Sequence, residues 1–234
     1  MKEVNKIVVT RRWPETVERE LHDLCGDVVQ LNEKDQALSQ DQLKEALCSA
    51  DCVLPTVTDP INADVLSVDK IRCQFLGNFG VGYNHIDIDA ARTAGIVVTN
   101  TPEVLTDCTA DIAMTLLLMV ARRAGEGERH LRAHSWSGWR PTHMRGTKVS
   151  GKILGLVGFG RIASAVAQRA HFGFGMKIVF YDPSSDNSER VKQFSATRCE
   201  TLVELLSISD FVSLHCPGGK KTWHSIDTLS LIHI

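Results

Sequence analysis

One stretch limits the possible folds more than any other. Ile153-Leu154-Gly155-Leu156-Val157 is an aliphatic run of strand length, and it passes directly into Gly158-Phe159-Gly160-Arg161-Ile162-Ala163, which opens a helical pattern. G-x-G-x-x-A between strand and helix is a phosphate-binding turn for a dinucleotide. Gly158 permits the tight turn, Gly160 lets the backbone approach a pyrophosphate, and Ala163 permits close helix–strand contact. Amides at the helix start face the phosphates, and the helix dipole favours their charge. Glycine pairs alone are common, so the context carries the weight. Asp182 ends the next strand, about twenty residues on, where an acid bonds both ribose hydroxyls. A carboxylate there repels a 2′-phosphate, so the expected cofactor is NAD rather than NADP. Arg190 stands too far along to overturn that expectation.

The rest of the chain alternates between strand and helix periods. Strands are expected at 7–9, 28–31, 52–54, 73–76 and 96–98. Between them Pro14 opens a helix to about Leu24, with Val17, Leu21 and Leu24 on one face. Ser39 caps another helix carrying Leu43, Ala46 and Leu47, and 88–93 form a third, ended by Gly95. A long helix is expected from Val104 to Ala124, followed by a polar segment without clear periodicity, 125–151. A second run follows: strands at 153–157, 177–181 and 211–214, with helices at 161–171 and 201–206. Short β-branched runs between helices indicate parallel sheets. The fold class is therefore α/β, with two parallel-sheet domains, divided at residues 1–101 and 102–234.

Composition excludes several functions. The 234 residues are 43% hydrophobic and 23% charged, with a formal net charge of −2, which argues against binding nucleic acid by bulk charge and against a polybasic membrane anchor. The longest apolar run, Ile112 to Ala121, falls short of the roughly 20 residues a membrane span needs. The N-terminus lacks the apolar stretch of a signal peptide. Seven widely spaced cysteines without C-x-x-C read as reduced thiols in a cytoplasm. No Cys/His pairs repeat at zinc spacing, so no metal is expected, and no G-x-S-x-G elbow is present.

A second glycine loop, Gly77-Asn78-Phe79-Gly80-Val81-Gly82, follows the fourth strand. It exposes backbone amides at the carboxyl edge of a sheet, where a small carboxylate could sit. Its own residues leave a plain turn equally open. Four blocks together, NFGVGYNHIDIDAARTAGIVVTNTP, VLTDCTADIAMTLLL, GKILGLVGFGRIASAVAQRA with the following YDP, and VSLHCPGGKKTWHSID, resemble the D-isomer-specific 2-hydroxyacid dehydrogenases. They spread over most of residues 75–228, while residues 1–74 share the rhythm without a specific signature. WSGWRPTHMRGTKVSGK is most similar to the glyoxylate/hydroxypyruvate reductase branch.

The resemblance implies a flavodoxin-like substrate domain followed by a Rossmann NAD-binding domain, and reversible hydride transfer between NAD(H) and a small 2-oxo acid. It places Val81 and Gly82 at the substrate carboxylate with Asn78 nearby, and Thr106 beside the nicotinamide. Phe159, Gly160, Arg161 and Ile162 would line the pyrophosphate after Gly158, and Cys216 and Pro217 would flank the cofactor. It makes residues about 125–151 an arm embracing a second subunit of a homodimer, with Trp136 and Trp139 as anchors and Trp139 reaching the partner's substrate pocket. The family's catalytic Arg, Glu and His are expected beyond residue 234, so the second domain reads as truncated and the chain as an inactive fragment. Its last residues, 229–234, read like translated sequencing-adapter sequence. His85 is expected at a helix entry or the surface, His215 at a strand end, and His233 in that tail. The family resemblance also leaves a second function open, a corepressor-like protein that senses NAD(H) without turnover.

Overall fold

In the computed structural model, residues 4–183, 188–219 and 222–227 are described. Residues 229–234, including His233, lie outside them. The chain forms two compact units, Met1–Val104 and Leu105–Ile234.

The first unit holds β1 (Ile7–Val9), β2 (Val29–Gln30), β3 (Cys52–Leu54), β4 (Phe75–Gly77) and β5 (Val97–Thr99). They pair in parallel in the order β2-β1-β3-β4-β5, the flavodoxin-like arrangement. Its helices are α1 (Glu15–Cys25), α2 (Gln40–Ser49) and α3 (Ile88–Thr93). At the start of α2 a capping box forms: the Ser39 hydroxyl accepts from the Gln42 amide, and the Gln42 side chain accepts from the Ser39 amide. Leu43, Ala46 and Leu47 then bury against Val53, Val65 and Leu66.

α1 departs from the sequence reading. Its apolar face is not the buried one: Leu24 is 78% exposed, Val17 is exposed too, and the buried residue is Glu18. Glu18 accepts from Nε and Nη2 of Arg12 and from the Trp13 amide. That ion pair ties the helix to the end of β1, and it holds the Glu18 carboxyl below its usual range.

The second unit contains α4 (Thr106–Ala121), α5 (Ala124–Arg132), β6 (Ile153–Val157), α6 (Arg161–Gln168), β7 (Lys177–Tyr181), α7 (Ser188–Phe194), β8 (Thr197–Arg198), α8 (Leu202–Ile208) and β9 (Phe211–Leu214). The parallel sheet runs β8-β7-β6-β9. Strand order therefore reverses between β6 and β9, the position where open α/β sheets bind ligands. The helix expected to reach residue 124 stops at Ala121. The Thr147 amide takes the Ala121 carbonyl at 2.7 Å, and Arg123 adopts a left-handed φ of 56°. α5 follows inside the segment that showed no periodicity. Its sequence, AGEGERHLR, has two glycines and one large apolar residue, so there was no helical stripe to detect. α7 and the two-residue β8 also escaped the pattern. The core here is Leu154, Leu156, Ile178 and Phe180 of the sheet under Ala163, Val166 and Ala167 of α6 and Ala110 and Met114 of α4.

Candidate functional site

The second unit carries a cleft of about 830 Å³ at the carboxyl ends of β6, β7 and β9. Gly158, Phe159, Gly160, Tyr181, Asp182, Arg190, His215, Cys216 and Pro217 line it. Gly158 has φ +85°, and a Cβ on it would stand 2.8 Å from the Cys216 nitrogen, so the crossing of turn and β9 leaves room for glycine alone. Gly160 is the opposite case: a Cβ there would meet nothing within 4 Å, which places its backbone against open space. It is also the N-cap of α6 and has no side chain to satisfy the first-turn amides. Small buried residues, Ala163 and Ala167, bring α6 close to the sheet. An anion-binding turn and an open cleft beside it fit a dinucleotide pyrophosphate.

Between these glycines, Phe159 is fully buried. Its ring stacks on Phe180 at 4.4 Å and meets Phe194 edge-on at 6.3 Å. Its amide donates to Asp182 Oδ2 at 2.7 Å, and its carbonyl accepts from Arg190 Nη1 at 2.9 Å. Asp182 thus braces the turn as well as lining the cleft, a link sequence spacing did not reveal. Arg198 Nη2 donates to the Asp182 carbonyl at 3.1 Å. Arg161 and Ile162 open α6 and half-buried Thr106 opens α4, and none of the three is among the residues lining the cleft. The His215 ring faces Ser213 Oγ at 2.9 Å, and burial pushes its pKa down.

The first unit places the other glycine loop after β4. Asn78 is buried, and its Nδ2 donates to the carbonyls of Gly80 at 3.0 Å and Gly82 at 2.9 Å. Its Oδ1 is therefore the acceptor facing His85 Nε2 at 3.0 Å, which must carry the proton. Burial lowers the pKa of His85, favouring that neutral ring. Asn100 Nδ2 donates to the Val81 carbonyl at 2.9 Å. With these carbonyls engaged, the amides of Val81 and Gly82 make no hydrogen bond among the described residues. Sequence reading missed a polar knot at the same sheet edge. Buried Asp59 accepts from the Thr10 hydroxyl at 2.6 Å and the Thr56 amide at 2.8 Å. Thr10 lies 49 residues away in the chain, so no local signal marks the pair.

In the segment 125–151, Trp139 is 83% and Trp136 56% exposed, beside a groove of about 430 Å³ that they line with Leu131 and Met144. Among the described residues no group of three or more His, Cys, Asp or Glu could hold a metal ion, and no helix is long and apolar enough to cross a membrane. All seven cysteines are free thiols.

These features define an α/β protein with a dinucleotide cleft at the switch point of its second sheet. Residues 114–233 match the NAD binding domain of the D-isomer specific 2-hydroxyacid dehydrogenases, and the chain belongs to that family. It is 38% identical over 224 residues to a glycerate dehydrogenase of Hyphomicrobium methylovorum, covering 93% of this chain and 66% of that one. A glyoxylate reductase of Thermococcus litoralis is also 38% identical, over 94% of this chain and 66% of its own. The chain thus spans just under two thirds of these relatives' length. Among solved structures, a protein from Thermus thermophilus superposes with a TM-score of 0.85 at 34% identity, covering 98% of this chain and 70% of that one. A glyoxylate reductase from Paecilomyes thermophila gives 0.81 at 25% identity, over 100% and 71%.

Proposed function

We propose that the protein to which this chain belongs transfers a hydride between NAD(H) and a small 2-oxo acid of the glyoxylate or hydroxypyruvate type. The observation that carries this reading is the braced G-F-G turn beside an open cleft, in a chain whose relatives include glyoxylate reductases and a glycerate dehydrogenase. NAD(H), when bound, supplies the hydride. Gly158 to Ile162 would receive its pyrophosphate, Asp182 its ribose, and Cys216 and Pro217 would flank it. Thr106 is assigned to the nicotinamide end by resemblance alone. In the first unit, read as the substrate domain, Val81 and Gly82 would hold the carboxylate through their amides. Asn78 serves them indirectly, because its side chain is spent on the loop.

In this reading the Arg, Glu and His of the reaction lie outside residues 1–234, and turnover is a property of the whole protein. Residues 125–151 act as a dimer arm. The exposed stripe Ile112, Leu116 and Val120 on α4 and the exposed Trp136 and Trp139 support a homodimer. Free thiols favour a cytoplasmic location. The whole protein should oxidise NADH with glyoxylate or hydroxypyruvate. Binding of NADH without turnover on any 2-oxo acid would contradict the proposal.

A further inference from the structure

We infer that Arg190 is a positioning residue of the cofactor cleft: its hydrogen bond to the Phe159 carbonyl sets the peptide that leads into Gly160. The inference rests on the dinucleotide reading of that cleft. In a trans peptide the N–H points away from the C=O of the same plane. The carbonyl of Phe159 and the amide of Gly160 share one plane. Arg190 Nη1, 2.9 Å from that oxygen, therefore fixes where the Gly160 N–H points. That amide has no hydrogen-bond partner among the described residues, and the space beside Gly160 is open.

The preceding peptide is fixed by a different group. The Phe159 amide is held by Asp182, and the ring is locked between Phe180 and Phe194. Both peptides flanking Phe159 and its side chain are thus fixed before any ligand arrives. Such preorganisation raises affinity by lowering the ordering cost of binding. A guanidinium suits the task, because its donors sit in a rigid planar fork and its charge strengthens the bond to a neutral carbonyl. Arg198 braces the other end of the acid, at the Asp182 carbonyl. Arg190 lines the cleft, yet this role is distinct from reading a 2′-phosphate, and the two roles separate by ligand.

The test uses the full chain, titrated calorimetrically with NADH, NADPH, ADP and adenosine, in unaltered form and as Arg190→Met and Arg190→Lys. Loss of one charge-assisted hydrogen bond should weaken NADH, NADPH and ADP by a common factor of about ten. Adenosine, which has no pyrophosphate, should bind unchanged. Arg190→Lys, which keeps a charged donor, should recover most of the loss, and Arg190→Ala, titrated in the same way, carries the comparison if Arg190→Met does not fold. A loss confined to NADPH would make Arg190 a phosphate reader and overturn the inference. So would unchanged affinities, an equal loss for adenosine, or no recovery by lysine. Failure of the unaltered chain to bind NADH or ADP would instead overturn the cleft reading itself.

Discussion

Single residues show which chemistry a sequence can announce. Gly158 and Gly160 were legible because a missing Cβ is a local property with a local reason. The structure separates them further. Gly158→Ala puts a Cβ against the Cys216 backbone at a left-handed φ, strain worth about 1–3 kcal/mol before the clash is counted. Its thermal midpoint should fall by several degrees. A Cβ at Gly160 meets nothing within 4 Å, so Gly160→Ala should melt much closer to the parent than Gly158→Ala, losing only the N-cap preference for glycine, while NADH affinity falls because the methyl intrudes on the space beside the turn. Equal melting of the two variants would contradict this account. Spacing marks Asp182 as a ribose ligand, but it does not reveal the bond to the Phe159 amide, which joins residues 23 apart. NADH is expected to bind more tightly than NADPH, and Asp182→Ser should narrow that gap. The same variant should also lose about 1–3 kcal/mol of stability, as the turn amide loses its charged acceptor. Tighter NADPH binding by the unaltered chain would refute the assignment.

At the scale of elements, patterns were legible where packing follows a period. α2 has both its capping box and its buried stripe, and it stands where the sequence placed it. α1 does not follow its stripe, because the ion pair of buried Glu18 with exposed Arg12 decides its orientation and ion pairs leave no hydrophobic period. α5 was invisible for lack of any stripe, and the end of α4 depends on a carbonyl taken by distant Thr147. The start of β3 offers a pH test of such distant contacts. Asp51 accepts from Nε and Nη2 of Arg72 and from the amides of Asn5 and Lys6. These donors, Arg72 foremost, lower its pKa from 3.8 to about 2. The folded value lies below the unfolded one, so its stabilisation is complete above about pH 4 and is lost as the pH falls toward about 2. Urea midpoints of the parent should drop across that window, and Asp51→Asn should flatten the drop. Parallel curves would remove Asp51 from the acid response.

For the whole molecule, the parallel sheets follow from alternating periods, and the family and its two fold types follow from four blocks spread over both units. The proposed role of residues 125–151 as a dimer arm rests on resemblance and on the exposure of Trp136 and Trp139. In the whole protein Trp139→Ala should raise KM for the oxo acid several-fold and leave NADH affinity nearly intact. An unchanged KM would remove Trp139 from the substrate site. The second unit is proposed to hold NAD(H) in the cleft at the G-F-G turn. Amide hydrogen exchange of this chain, followed with and without saturating NADH, tests it most directly. The account predicts slowed exchange at Gly160 to Ala163 and at Asp182 and Cys216, with the β2 edge of the first unit unaffected. Protection absent from the turn, or centred on the arm segment 125–151, would contradict it.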